Sequence, residues 1–60
     1  HRKEVTVPTL AGEIRVKIAT LDGRDIILPE FDDMIMAMKN TNRCYEDVYF
    51  EIREVLRKES

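Results

Sequence analysis

The sequence predicts an α+β domain in which a three-stranded antiparallel β-meander is followed by two α-helices packed on one face of the sheet. In the first half of the chain, apolar and polar residues alternate with a period of two, which is typical of strands with one buried face. Glycine-containing turns interrupt that half. After Pro29 the apolar residues recur every three or four positions, as on one side of a helix. Sixty residues allow one domain, residues 1–60.

The first strand is predicted from Val5 and Val7, which alternate with polar neighbours. Pro8 has no N–H to donate to a neighbouring strand, so this strand belongs at an edge of the sheet. Ala11-Gly12 is the expected turn into the second strand. The meander as a whole is predicted over residues 4–28.

The second strand gives the clearest signal, because Ile14, Val16 and Ile18 alternate with charged residues. Asp22-Gly23 follows it and is a preferred pair for a type I′ hairpin turn, since both positions tolerate a positive φ. We therefore expect a third strand over residues 24–28, hydrogen-bonded to its own chain.

Helix 1 is predicted over residues 30–41. Pro29 suits a helix start, where its missing N–H costs nothing. Asn40-Thr41-Asn42 should end the helix, since these side chains compete for backbone hydrogen bonds and Asn tolerates a left-handed conformation. The apolar side of this helix is formed by Phe31, Met34, Ile35 and Met38.

Helix 2 is predicted over residues 43–58, with Thr41 or Asn42 as its cap. Its apolar side is formed by Tyr45, Val48, Tyr49, Ile52, Val55 and Leu56. The predicted core joins the inward residues of all five elements: Val5, Val7, Ile14, Val16, Ile18, Ile26, Leu28, Phe31, Met34, Ile35, Met38, Val48, Tyr49, Ile52, Val55 and Leu56.

Composition limits how so short a chain is stabilised. A domain of this size buries only about 60% of its unfolded surface. One cysteine, Cys44, excludes an internal disulfide, and one histidine, His1, leaves no zinc-binding set. A protein partner or a second copy is the remaining source of stability. The lone thiol favours a reducing, cytoplasmic location, and no apolar run is long enough to span a membrane.

No arrangement of residues typical of catalysis is present. The adjacent carboxylates Asp32-Asp33 and Glu46-Asp47 point about 100° apart on a helix and do not form a shared site. Dipole complementarity at the helix starts explains both pairs. We therefore predict that the protein is not an enzyme, with no catalytic residues, no cofactor, no metal site and no evident small-molecule substrate.

Met36 lies about 140° around its helix from Phe31, and Phe50 about 140° from Tyr45, so each departs from the apolar side of its helix. Either they cover a sheet edge within the monomer, or they contact another chain. Met36 and Phe50, with Cys44 beside them, are the candidate protein-contact residues. The predicted function is a small non-enzymatic protein-interaction or dimerisation module, either a whole protein or a domain of a larger one.

Two segments resemble known families. VPTLAGEIRVKI (Val7–Ile18) is similar to the strand-turn-strand of the C-terminal substrate-binding domain of DnaJ-type co-chaperones, which implies a hairpin. DIILPEFDDMIMAMKNTNRCYEDVYFEIREVL (Asp25–Leu56) resembles a ribbon-helix-helix repressor, in which two ribbons pair across a dimer and enter the DNA major groove.

The second resemblance implies an alternative function, a dimeric DNA-binding transcriptional regulator with nucleic acid as partner. Its candidate nucleic-acid contacts are Arg15, Lys17 and Arg24, on or near the polar sheet face. The Asp22-Gly23 turn favours the local hairpin over the shared ribbon.

Overall fold

The computed structural model describes residues 2–59, so His1 lies outside the described residues. The elements follow the predicted order β-β-β-α-α and form one antiparallel sheet with β2 at its centre. On one face of the sheet, helix α2 packs over β1 and helix α1 packs over β2. The predicted α+β fold is confirmed. The five elements are β1 (Arg2–Thr9), β2 (Gly12–Leu21), β3 (Arg24–Pro29), α1 (Phe31–Thr41) and α2 (Tyr45–Lys58).

The second hairpin turn has the predicted geometry. Asp22 and Gly23 have φ values of 52° and 76°, and type I′ turns require a positive φ at both positions. The turn pairs Leu21 with Arg24. Strand β3 therefore pairs with its own chain, as the local-hairpin interpretation predicts.

The first turn lies one residue earlier than expected. Leu10 and Ala11 form it, and Gly12, with a φ of 101°, already begins β2. A type I turn followed by a residue of positive φ is a common hairpin connection. The Thr9 hydroxyl fastens the turn by donating to the Gly12 carbonyl at 2.7 Å and accepting from the Ala11 N–H at 3.1 Å.

The core lies between the sheet and the two helices. Ile35 of the predicted set is half-buried, and Val5, Met38, Tyr49 and other half-buried side chains pack around the core. Ala37 belongs to the core and was not predicted. The buried residues are Val7, Ile14, Val16, Ile18, Met34, Ala37, Val48 and Ile52.

Three predicted core residues are exposed. In β3 the inward residue is Ile27, which lies opposite Ile18, whereas Ile26 and Leu28 point away from the helices and Leu28 is 51% exposed. Asp22-Gly23 fixes this register, and a shift of one residue exchanges the two faces of a strand. Phe31 is 70% exposed, because the inward side of α1 is formed by Met34 and Ala37 instead.

One side chain of helix α2 occupies part of the free edge of β3. A two-residue turn is closed by a hydrogen-bonded pair, here Leu21 and Arg24, so the backbone groups of Ile27 point away from β2. The Tyr49 hydroxyl donates to the Ile27 carbonyl at 3.1 Å. Pro29 has no N–H at that edge, so the Ile27 carbonyl and position 29 are both lost as pairing points for another strand.

Glu51 of α2 ties the helix to the first hairpin turn. Its Oε2 accepts a hydrogen bond from the Leu10 N–H at 2.8 Å. Its Oε1 lies 2.9 Å from Nη2 of Arg43, and both atoms are shielded from solvent and pair as charges without an aligned hydrogen bond. Arg43 Nε donates to the Thr41 hydroxyl at 3.0 Å, which in turn donates to the Ala37 carbonyl at 2.7 Å.

The end of α1 agrees with the sequence prediction, whereas the start of α2 differs from it. Asn42 adopts the left-handed conformation, with a φ of 53°, and its N–H donates to the Met38 carbonyl. Helix α2 then begins at Tyr45, with Cys44 rather than Thr41 or Asn42 at its N-cap position. Within residues 2–59, no helix is long and apolar enough to cross a membrane.

Candidate functional site

An aromatic and charged strip runs along the outward side of α2. Positions 46, 49, 50 and 53 follow the i, i+3, i+4, i+7 spacing that places residues on one side of a helix. The buried side of the same helix carries Val48 and Ile52. We call the outward set the α2 strip, and it lines a shallow concavity of about 280 Å³: Tyr45, Glu46, Tyr49, Phe50 and Arg53.

Two contacts fix the positions of the tyrosines in the α2 strip. The rings of Tyr45 and Tyr49 stack with centroids 6.1 Å apart and an interplanar angle of 17°. Tyr49 is anchored by its hydrogen bond to the Ile27 carbonyl. Phe50 stands beside this pair with 61% of its surface exposed. The strip therefore exposes the apolar surface of Phe50 beside two tyrosines whose positions are fixed by these contacts.

The predicted protein-contact residues are all exposed, but only one of them belongs to the α2 strip. Met36 is 56% exposed on α1, so neither Met36 nor Phe50 covers a sheet edge within the chain. Cys44 is exposed just before α2. Only Phe50 lines the concavity of the α2 strip.

The residues around Phe50 were not predicted as part of a site. Tyr45 was assigned to the apolar side of the helix but is exposed, Glu46 was considered only as a charge at the helix start, and Arg53 was not singled out. The i±3 and i±4 spacing from Phe50 and Tyr49 would have identified both charges.

Of the candidate nucleic-acid contacts, Arg15 is already bound within the chain. Its guanidinium Nε and Nη2 donate to the two carboxylate oxygens of Asp33, each at 2.9 Å, and its backbone N–H donates to Asp33 Oδ2 at 2.8 Å. The Glu30 N–H donates to the Arg15 carbonyl at 2.9 Å. Beyond the end of β3, β2 is therefore hydrogen-bonded to residues at the start of α1.

The contact with Arg15 also sets the protonation of Asp33. Hydrogen bonds from the Arg15 side chain, and then from its backbone, lower the pKa of Asp33 from 3.8 to about 2. The same hydrogen bond raises the pKa of Arg15 above its usual value. Both groups therefore stay charged in the folded protein at neutral pH.

A pH-dependent stability follows from Asp33. Because the pKa of Asp33 is lowered on folding, its contribution to stability is present above the unfolded pKa near 3.8 and is lost as the pH falls towards about 2. We expect the wild type to lose more unfolding free energy between pH 7 and pH 3 than Asp33→Asn does, measured by urea unfolding. Asp32→Asn is the control, since Asp32 makes no such contact within residues 2–59. Parallel losses in the wild type and Asp33→Asn would contradict this role.

Lys17 and Arg24 lie on the outer face of the sheet, away from the helices. Lys17 is directly opposite Glu4 on one side and Leu28 on the other, while Arg24 is opposite Leu21. The outer face therefore mixes charges of both signs with apolar residues. This arrangement adds no support to the DNA-binding alternative.

A second concavity, of about 430 Å³, separates the inner sheet face from the C-terminal half of α2. Its apolar residues include Val5, Ile18 and Ile27, and its rim carries charges of both signs. Two rim residues, Glu54 and Arg57, form an ion pair at 2.7 Å. Within residues 2–59, no three His, Cys, Asp or Glu side chains are grouped so that they could hold a metal ion.

Comparisons with known proteins identify the fold. No protein-family model and no curated protein sequence matches the chain significantly. A solved structure does match: LarC2, the C-terminal domain of a cyclometallase involved in the synthesis of the NPN cofactor of lactate racemase, in its apo form. The similarity has a TM-score of 0.73 at 24% sequence identity and covers 95% of this chain and 40% of the other.

This match corrects one prediction. The expectation that the protein is not an enzyme is contradicted, because the structure that matches nearly the whole chain is a domain of an enzyme. The chain spans less than half of the chain that it matches. It has the fold of part of this cyclometallase domain.

Proposed function

We propose that this chain is a domain of a larger enzyme of cofactor synthesis, of the cyclometallase class to which its structural neighbour belongs. The observation that supports this proposal is the superposition of 95% of the chain with a TM-score of 0.73. Since the matched region is 40% of the neighbouring chain, we assign the catalytic activity to the enzyme as a whole.

Within such an enzyme, we propose that the domain makes protein contacts through the α2 strip. Burying a side chain such as Phe50 contributes roughly 1.5–3 kcal/mol, which is forgone while 61% of its surface stays exposed. Aromatic residues and arginine are enriched where proteins bind one another. The α2 strip combines both types on a rigid helix.

Reconstitution of lactate racemase tests the enzymatic proposal. A bacterial strain that makes the racemase but lacks its own cyclometallase receives the full-length protein that contains this chain. We expect racemase activity, together with the completed NPN cofactor detected by mass spectrometry. Ile52→Asp, which places a charge in the buried core, should abolish both, because a buried unpaired charge unfolds a small domain.

The control is the neighbouring cyclometallase expressed in the same strain. If that enzyme restores racemase activity while the soluble, folded full-length protein restores none, the enzymatic proposal is wrong.

A further inference from the structure

We infer that the α2 strip binds a second copy of this chain, with the two α2 helices packed antiparallel about a two-fold axis. The inference names the partner for the contact role in the proposed function and rests on that role, not on the enzymatic assignment. Three features of the strip carry it: two exposed charges outside the ion pairs described above, their symmetric placement and an exposed aromatic centre.

The two charges of the strip lie outside the ion pairs formed by the described part of the chain, although the charge of Arg53 is felt by its neighbour Glu54. Neither Glu46 nor Arg53 takes part in an ion pair within residues 2–59. They are seven residues apart on one helix, a rise of about 10.5 Å, which is too far for them to pair with each other. Both side chains are exposed.

The placement of these charges is self-complementary. Glu46 lies three residues before Tyr49, and Arg53 lies three residues after Phe50. If two such helices run antiparallel with the axis between positions 49 and 50, each Glu46 faces Arg53 of the second copy. A two-fold interface requires one surface to complement itself in this way, and the resulting pairs of opposite charge occur at both ends.

The aromatic residues at the centre of the strip give the two copies complementary shapes. In the same arrangement Tyr49 of each copy faces Phe50 of the other copy. Phe50 projects next to the concavity of about 280 Å³ that Tyr45 and Tyr49 help to line. That concavity can receive Phe50 of the second copy. The spacing of positions 46, 49, 50 and 53 is also that of the seam between paired helices.

Charge-swap variants test the inference by sedimentation equilibrium of the chain. We expect a monomer–dimer equilibrium for the wild type. Glu46→Arg alone, or Arg53→Glu alone, should weaken the dimer at least about tenfold, because like charges then face each other at both ends. The double variant Glu46→Arg/Arg53→Glu should restore the wild-type dissociation constant to within about threefold, because opposite charges face each other again.

Two controls separate this effect from a change in net charge. Asp47→Arg and Lys58→Glu make the same charge changes at exposed α2 positions outside the strip and should leave the dimer unchanged. Circular dichroism confirms that each variant is folded. A monomeric wild type, an unaffected single variant, or a double variant as weak as the singles would overturn the inference. The reconstitution of lactate racemase by the wild-type protein would still decide the enzymatic proposal.

Discussion

Replacing Met34 by alanine should lower the free energy of unfolding by about 2–5 kcal/mol, the range for truncating a fully buried methionine. Met34 has no exposed surface and belongs to the core formed by the sheet and both helices. A domain of this size has a total stability of only about 3–9 kcal/mol. Met34→Ala should therefore bring the protein close to unfolding.

Met36 provides a control on the same helix. Met36→Ala removes the same atoms from a side chain that is 56% exposed, so we expect a change within about 0.5 kcal/mol. Urea unfolding followed by far-ultraviolet circular dichroism measures both variants. Equal losses from Met34→Ala and Met36→Ala would show that α1 does not face the sheet as described.

Replacing Glu51 by alanine should have the second-largest effect, a loss of about 2–3 kcal/mol of unfolding free energy, because it removes the partner of a shielded charge and of a backbone donor together. Nη2 of Arg43 would be left shielded from solvent without an opposite charge. The Leu10 N–H would lose its acceptor. The link between the first hairpin turn and α2 would then be broken.

Glu54 is the matched control for Glu51. It is a carboxylate of the same helix in an ion pair with Arg57, but the pair is on the surface, where such pairs contribute little. Glu54→Ala should therefore reduce stability far less than Glu51→Ala in the same urea experiment. A smaller effect for Glu51→Ala than for Glu54→Ala would contradict the role of the Arg43–Glu51 pair.

Much of the fold could be predicted because its local signals agree. The period-two alternation of β2, the Asp22-Gly23 turn and the change of period after Pro29 together specify the order of elements. The left-handed conformation of Asn42 was also expected from its side chain. Each of these features depends on residues close together in the sequence.

The orientation of β3 was predicted wrongly, although the sequence contains the information. Three apolar residues in succession, from Ile26 to Leu28, leave the inward face ambiguous when the strand is considered alone. The two-residue turn pairs Leu21 with Arg24, and counting outwards from that pair places Ile27 opposite Ile18. Pairing register, rather than periodicity within the strand, decides which residue is buried.

The site was only partly predictable. Phe50 stood out because it departs from the apolar side of its helix, and the structure leaves it exposed. The hydrogen-bonded ion pair of Asp33 and Arg15 joins residues 18 positions apart, so no local pattern reveals it. The similarity to a domain of an enzyme was not predicted, since the fold match has 24% identity and does not depend on a motif of catalytic residues.

The most direct test of the α2 strip as the contact between two copies is the dependence of the wild-type amide chemical shifts on protein concentration. We predict shifts that saturate with concentration and are largest for residues 45–53, with the sheet residues of β1 and β2 little changed. Shifts centred on β3 or α1, or none up to the solubility limit, would contradict that role for the strip.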